Sequence, residues 1–63
     1  MVKNKYNIGD RVHHATPESD LGIVVDASYF LLSNKWVYNV TFSHSMEPIW
    51  YNEHELSESK IYV

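Results

Sequence analysis

The feature that most constrains this chain is the alternation of side-chain character over residues 36–42, Trp-Val-Tyr-Asn-Val-Thr-Phe. In a β-strand, residues two apart point to the same face, so Tyr38, Val40 and Phe42 share one face while Asn39 lies on the other. Aromatic and β-branched residues dominate the stretch, as is typical of a pleated surface that is half-buried. The pattern predicts a central β-strand with Tyr38, Val40 and Phe42 in the core.

The chain is short and has no cysteine, with 63 residues in all. A domain of this size buries only about 60% of the surface that its unfolded chain exposes. Disulfides and thiolate zinc sites are excluded because both need cysteine. Aromatic residues, which bury roughly 150–250 Å² each, must therefore supply much of the core. We predict one small all-β domain held together by packing alone.

The amino-terminal end predicts a flexible segment rather than a targeting signal. Lys3 and Lys5 give it a basic start, but no apolar run of signal-peptide length follows, and the chain has no apolar span long enough for a membrane helix. We therefore predict a cytoplasmic protein in which residues 1–6 are flexible, with Tyr6 able to dock, and residues 7–63 form the folded domain.

Acidic residues concentrate in the last third of the chain. The net charge is −3, and residues 43–63 carry four glutamates against Lys60 alone. Proteins that bind phosphate backbones cluster lysine and arginine, because neutralising phosphates supplies most of the non-specific affinity. Nucleic-acid binding is therefore the alternative function rather than the favoured one. It would require four basic residues to gather on one face: Lys3, Lys5, Arg11 and Lys35.

The first two strands are predicted from short apolar runs between turn residues. Residues 7–10, Asn-Ile-Gly-Asp, predict a turn. A first strand over residues 11–15 would place Val12 in the core with His14 on the same side. After a loop at residues 16–20, a second strand covers residues 22–27. Its predicted core residues are Ile23, Val25 and Ala27, because the opposite phase would turn Asp26 inward.

Residues 28–32 leave three alternatives open: a continuation of the second strand, an exposed apolar tip, or a short helical turn. A turn is predicted at residues 33–35 and a loop at residues 43–48. Residues 49–51 form a fourth strand, in which Trp50 points away from Ile49 and Tyr51.

Residues 52–55 predict a short helical turn closed by a capping box. Asn52 is the cap, and the Glu55 carboxylate can accept a hydrogen bond from the backbone N–H of the cap. The serine-rich stretch at residues 57–59 interrupts the turn. Residues 60–63 are predicted to form the fifth strand, with Ile61 and Val63 on one face.

This arrangement of five short strands and one helical turn resembles the SH3-like barrels. The resemblance rests on four short motifs: Gly-Asp-Arg-Val at residues 9–12, Gly-Ile-Val-Val at 22–25, Tyr-Asn-Val-Thr-Phe at 38–42 and Glu-Leu at 55–56. Similar motifs occur in KOW and Tudor-like domains and in the SH3-like accessory subunit of photosystem I. The resemblance implies a small five-stranded barrel over residues 7–63, and these families differ widely in function.

No pattern of catalytic or metal-binding residues stands out. Neighbouring strand residues point to opposite faces, so His13 and His14 are poorly placed to share a metal ion. His44 lies between two serines, but sequence neighbours in a loop rarely adopt the geometry of a nucleophile and its base. We expect no enzyme activity, no metal and no cofactor.

The remaining functional signal is an aromatic surface. The two tryptophans lie on the opposite strand phases from their apolar neighbours Val37 and Ile49, so at least one is expected outside the core. The plainer interpretation is that both tryptophans cap the ends of the barrel. We predict a non-enzymatic adaptor that binds a protein, with the acidic carboxyl-terminal third steering a basic partner. The predicted partner-binding residues are Tyr29, Phe30, Trp36, Trp50, Tyr51 and Glu53.

Overall fold

The computed structural model describes residues 2–43 and 47–62 as an all-β protein. One antiparallel sheet has the strand order β4-β3-β2-β1-β5, which places β4 and β5 at its edges. The predicted loop at residues 43–48 lies partly outside the described residues. The strands and the single 3₁₀ turn are β1 (Arg11–His14), β2 (Leu21–Phe30), β3 (Lys35–Phe42), β4 (Ile49–Asn52), the turn at Glu53–Glu55 and β5 (Leu56–Ser57).

One apolar core lies against the inner face of this sheet. Tyr38 and Val40 are fully buried and Phe42 almost so, which confirms the core face predicted for β3. Val12 is buried as expected, and Tyr6 docks edge-on against the Tyr38 ring with 5.3 Å between ring centroids. The described core consists of Tyr6, Val12, Val24, Tyr38, Val40, Phe42 and Leu56.

The predicted inner face of β2 is wrong at its centre. Val24 is 1% exposed and belongs to the core, whereas Val25 is 41% exposed. A β-bulge explains both facts, because Val24 pairs with Val40 and Asp26 pairs with Asn39, which leaves Val25 as an extra residue. The bulge shifts the alternation by one residue. Asp26 therefore stays exposed although Val24 points inward.

The β2–β3 hairpin combines two of the three alternatives for residues 28–32. β2 continues to Phe30, and Leu31 and Leu32 then form an exposed apolar tip. Asn34 adopts a left-handed backbone with φ of 53°, which confirms the predicted turn.

The turn at residues 7–10 is also confirmed. The backbone N–H of Asp10 donates to the carbonyl of Asn7 over 3.0 Å, and Gly9 has φ of +95°.

The predicted fifth strand is wrong. β5 is Leu56–Ser57 and pairs with β1, with Leu56 opposite His14. The 3₁₀ turn delivers the chain directly to the edge of β1, where the backbone N–H of Ala15 donates to the carbonyl of Glu55. Residues 60–62 are not a strand; Ile61 accepts a backbone hydrogen bond from Glu18, and Val63 lies outside the described residues.

The capping box at the 3₁₀ turn is present. The Glu55 carboxylate accepts a hydrogen bond of 2.8 Å from the backbone N–H of Asn52. That bond is the largest of the influences that lower the pKa of Glu55 below its usual value. Over residues 2–43 and 47–62, no helix is long and apolar enough to cross a membrane.

Candidate partner-binding surfaces

The six predicted partner-binding residues do not form one patch. Tyr29 and Trp36 face the inner side at the far end of the β2–β3 pair, close to Glu53. Phe30 and Trp50 lie on the outer face of the sheet. Tyr51 packs beside the core in a cleft next to the β1–β2 loop. The structure therefore presents three separate surfaces, which we name the outer face, the Trp36 groove and the Tyr51 cleft.

The outer face is organised by the cross-strand register around Trp50. Trp50 on β4 lies opposite Asn39 on β3, and Asn39 lies opposite Asp26 on β2. Side chains opposite one another in an antiparallel pair lie about 4.5–5.5 Å apart at Cβ, so these three form a continuous row. Trp50 is 48% exposed, and the bulge leaves the exposed Val25 next to this row. The result is an apolar surface with a carboxylate at one end.

Asn39 carries the unsatisfied polar atom on this face. Its side-chain oxygen is buried and accepts no hydrogen bond from the residues that the structure describes. A buried acceptor without a partner costs about 1–3 kcal/mol.

The Trp36 groove is built on a row of aromatic rings. The Trp36 ring lies 5.0 Å from Tyr29 and stacks on Tyr38 at 6.3 Å with only 19° between the planes. The Tyr29 hydroxyl donates a hydrogen bond to the side-chain oxygen of Asn34 over 3.0 Å. Trp36 is half-buried and packs against the core, so only part of its ring contributes to the surface.

The Tyr38 hydroxyl is a hydrogen-bonding centre at the base of this groove. It donates to the Glu53 carboxylate over 2.5 Å and accepts from the backbone N–H groups of Lys5 and Tyr6. Burial raises the pKa of Tyr38 to about 12, and the hydrogen bond to the negatively charged Glu53 adds to the effect. The tyrosine is therefore a neutral donor at physiological pH.

Residues 2–5 lie along the Trp36 groove. The backbone N–H of Val2 donates to the Tyr29 hydroxyl over 3.2 Å, and the carbonyl of Val2 accepts from the Trp36 indole N–H over 2.7 Å. The backbone N–H of Lys5 also donates to Glu53 over 3.1 Å. Half of the predicted partner-binding set thus contacts the amino-terminal segment of the same chain.

The Tyr51 cleft has a volume of about 330 Å³ and lies between the aromatic residues and the β1–β2 loop. Tyr51 makes edge contacts with His14 at 5.2 Å and with Phe42 at 5.8 Å between ring centroids. On the loop side, Glu18 has φ of 59° and forms a salt bridge of 3.3 Å with Lys60. The Glu18 charge is therefore already paired.

In the described part of the chain, the histidines and acidic residues form no metal cluster, and Arg11 lies apart from Lys35, which lines the Trp36 groove. No group of three or more histidine or acidic side chains there is placed to hold a metal ion. Arg11 pairs with Ile23 and Lys35 pairs with Phe30 on the same strand, so they lie on the order of 20 Å apart along β2. Lys3 and Lys5 belong to the segment along the Trp36 groove.

Sequence reasoning missed the backbone of residues 2–5 and the hydroxyl of Tyr38. The sequence assigned Tyr38 to the core on periodicity alone, which says nothing about its polar end. The one available signal was chemical, since a buried tyrosine usually finds a partner for its hydroxyl.

Comparisons of the chain with known proteins matched no family model, no curated protein and no solved structure.

Proposed function

We propose that this chain is a non-enzymatic protein-binding module that docks through its outer face. The observation that carries the proposal is the half-exposed Trp50 beside the row that ends at the exposed Val25 and Asp26. Tryptophan is enriched among the residues that dominate binding energy, because it combines a large apolar area with one hydrogen-bond donor. A partner that covers Trp50 and Val25 would remove a large apolar area from water.

The chemistry of the partner follows from the charge around this face. Asp26 lies at the end of the Trp50 row, and Arg11 and Lys35 lie on the same face further from Trp50. Asp26 beside the Trp50 row favours a partner that places one basic group next to its apolar contact residue. Its electrostatic attraction would act mainly on the association rate and would weaken with salt.

The fold assumed in this proposal is an SH3-like barrel. Its support is that β1 pairs with both β2 and β5, and that one core collects side chains from β1, β2, β3 and β5. The bulge at Val25 would bend β2 in the way that a closing sheet requires.

The test compares immobilised full-length protein with two variants. Trp50→Ser removes the centre of the outer face, and Ile8→Ser changes an exposed apolar residue in the turn at residues 7–10 as the matched control. Urea unfolding would verify that both variants fold. A protein captured by the wild type and by Ile8→Ser but lost by Trp50→Ser, and shifting the Trp50 indole resonance once purified, would support the proposal. Equal capture by Trp50→Ser would contradict it.

The nucleic-acid alternative is tested on the same material. Binding to DNA or RNA that falls steeply as salt rises would favour it over the proposal. No detectable binding at low salt would remove it.

A further inference from the structure

We propose that the Trp36 groove is a second binding site, separate from the outer face, for an extended segment of a partner protein with a bulky apolar side chain. In this site residues 2–4 are a resident ligand that the partner displaces. The proposal stands on the hydrogen bonds and the unfilled space in the groove.

The groove recognises main-chain atoms rather than side chains. Both polar backbone atoms of Val2 are bonded, its N–H to Tyr29 and its carbonyl oxygen to Trp36. The side chain of Val2 is 51% exposed, and Lys3 is exposed as well. A segment with a different sequence can therefore make the same two hydrogen bonds, provided that its backbone is extended and keeps that N–H.

Unfilled space beside Val2 sets the preference for one side chain. A cavity of about 210 Å³ adjoins Val2 and is lined in part by Trp36, Glu53 and His54. The cavity is open to solvent on one side, so a larger side chain can enter it beside the Trp36 ring. A phenylalanine at the position of Val2 has room that valine leaves empty, so the resident segment is not the best ligand for the groove.

The resident segment can leave without dismantling the domain. Tyr6 anchors the chain, because its ring is buried and its hydroxyl donates to the carbonyl of Leu56. Residues 2–4 lie before that anchor and contribute no residue to the described core. A tethered segment acts at an effective concentration on the order of millimolar, which lowers the apparent affinity of a competing partner.

The first experiment uses NMR spectroscopy of the ¹⁵N-labelled full chain and of a variant lacking residues 2–4. The probes are capped peptides Gly-Phe-Lys-Asn, Gly-Val-Lys-Asn and Gly-Pro-Lys-Asn. Proline removes the N–H that Val2 donates to Tyr29, so it is the matched control. We expect the Phe peptide to shift the Trp36 indole resonance and to leave that of Trp50 unchanged. The Phe peptide should bind more tightly than the Val peptide. It should also bind the truncated variant at least roughly tenfold more tightly than it binds the full chain.

Two outcomes would overturn the proposal. One is a folded truncated variant whose Trp36 indole resonance does not respond to the Phe peptide. The other is a response to the Pro peptide equal to that to the Phe peptide, which would mean that the groove does not bind the backbone N–H. A shift of Trp50 alone would assign the peptide to the outer face and would also count against the groove.

A second measurement applies if the truncated variant fails to fold. In the full chain, Val2→Phe should fill the cavity and raise the melting temperature, whereas Val2→Gly should lower it slightly. The Trp36 indole N–H should exchange with solvent more slowly in Val2→Phe than in the wild type. Equal exchange in the two proteins would contradict the proposal.

Discussion

Tyr38 shows how one side chain can serve the core and a surface together. Its ring is fully buried, while its hydroxyl connects Glu53 on the 3₁₀ turn to the backbone of Lys5 and Tyr6. Replacing it with phenylalanine would keep the packing but leave the buried backbone N–H of Tyr6 without this acceptor, whereas that of Lys5 keeps its hydrogen bond to Glu53. Unsatisfied buried groups of this kind cost about 1–3 kcal/mol.

The raised pKa of Tyr38 predicts a loss of stability at alkaline pH. The unfolded tyrosine ionises with a pKa near 10 and the folded one at about 12, so between these values the folded state holds a proton that the unfolded chain has released. Stability is then expected to fall as pH rises through this window, and to be unaffected by this group below it. Urea unfolding at about pH 9 and about pH 11.5 measures the effect.

Tyr38→Phe is the control for that measurement, because it removes the ionising group. Its free energy of unfolding should be lower than that of the wild type at neutral pH and should change less between the two alkaline conditions. The same alkaline loss in both proteins would show that Tyr38 is not responsible.

Gly22 is a second residue whose role is visible only in the structure. A Cβ atom at this position would lie 2.7 Å from atoms of both Phe42 and Val40. The sequence marked Gly22 only as the start of a strand. The close approach of two β3 side chains to Gly22 depends on the register between β2 and β3. That register cannot be predicted from the local sequence.

At the scale of elements, periodicity predicted the core face of β3 but was wrong for β2 up to the bulge; beyond the bulge, Ala27 packs against the core as predicted. β3 keeps strict alternation from Trp36 to Phe42, so its core face could be derived from spacing alone. β2 contains a bulge. Its single extra residue shifts the alternation of side chains, so the positions that face the core before the bulge are out of step with those after it. The core face of β2 was predicted on the requirement that Asp26 stay out of the core. The bulge meets that requirement and still lets Val24 be buried.

A pair of alanine variants tests the bulge directly. Val24→Ala removes two buried methyl groups and should destabilise the protein by about 2 kcal/mol. Val25→Ala, the matched control one residue later, should change stability by less than about 0.5 kcal/mol because its side chain is exposed. Urea unfolding of both variants decides the matter, and the opposite ranking would show that the sheet has no bulge at this place.

The fifth strand could not be found from the sequence because β5 has only two residues. A two-residue element has no periodicity to detect, and its identity depends on the edge of β1 being free to pair. The apolar residues at 61–63 satisfied the strand pattern better. The capping box, in contrast, was predictable because cap and carboxylate lie three residues apart in the sequence.

For the whole molecule, the main question is where the folded domain begins. The sequence placed the boundary after residue 6 and allowed Tyr6 to dock on the domain, and Tyr6 is 2% exposed in the core. The three surfaces could not be separated in advance either, since their residues alternate along the same strands and only the register assigns each one to a face.

Two truncations test this boundary. A variant that begins at residue 7 loses Tyr6 and its aromatic contact with Tyr38, and should lose about 3–5 kcal/mol, as for other large buried aromatic residues. For a domain of this size, that is enough to prevent stable folding. The variant lacking residues 2–4 should stay folded. Circular dichroism during heating distinguishes the two variants. If the variant that begins at residue 7 melted cooperatively at the same temperature as the full chain, Tyr6 would not be part of the core.

The hydrogen bond between the Tyr6 hydroxyl and the carbonyl of Leu56 also has a consequence for synthesis on the ribosome. The two residues are separated by 50 positions, and β1 gains its second neighbour only when Ser57 has been made. Chain elongation at roughly 5–20 residues per second means that the early core residues wait several seconds for their late partners. The pairs β1–β2, β2–β3 and β3–β4 join strands that are neighbours in sequence, so they can form in the meantime. The timing of folding is therefore set by when residues 56 and 57 emerge, although Tyr6 and Val12 are made first.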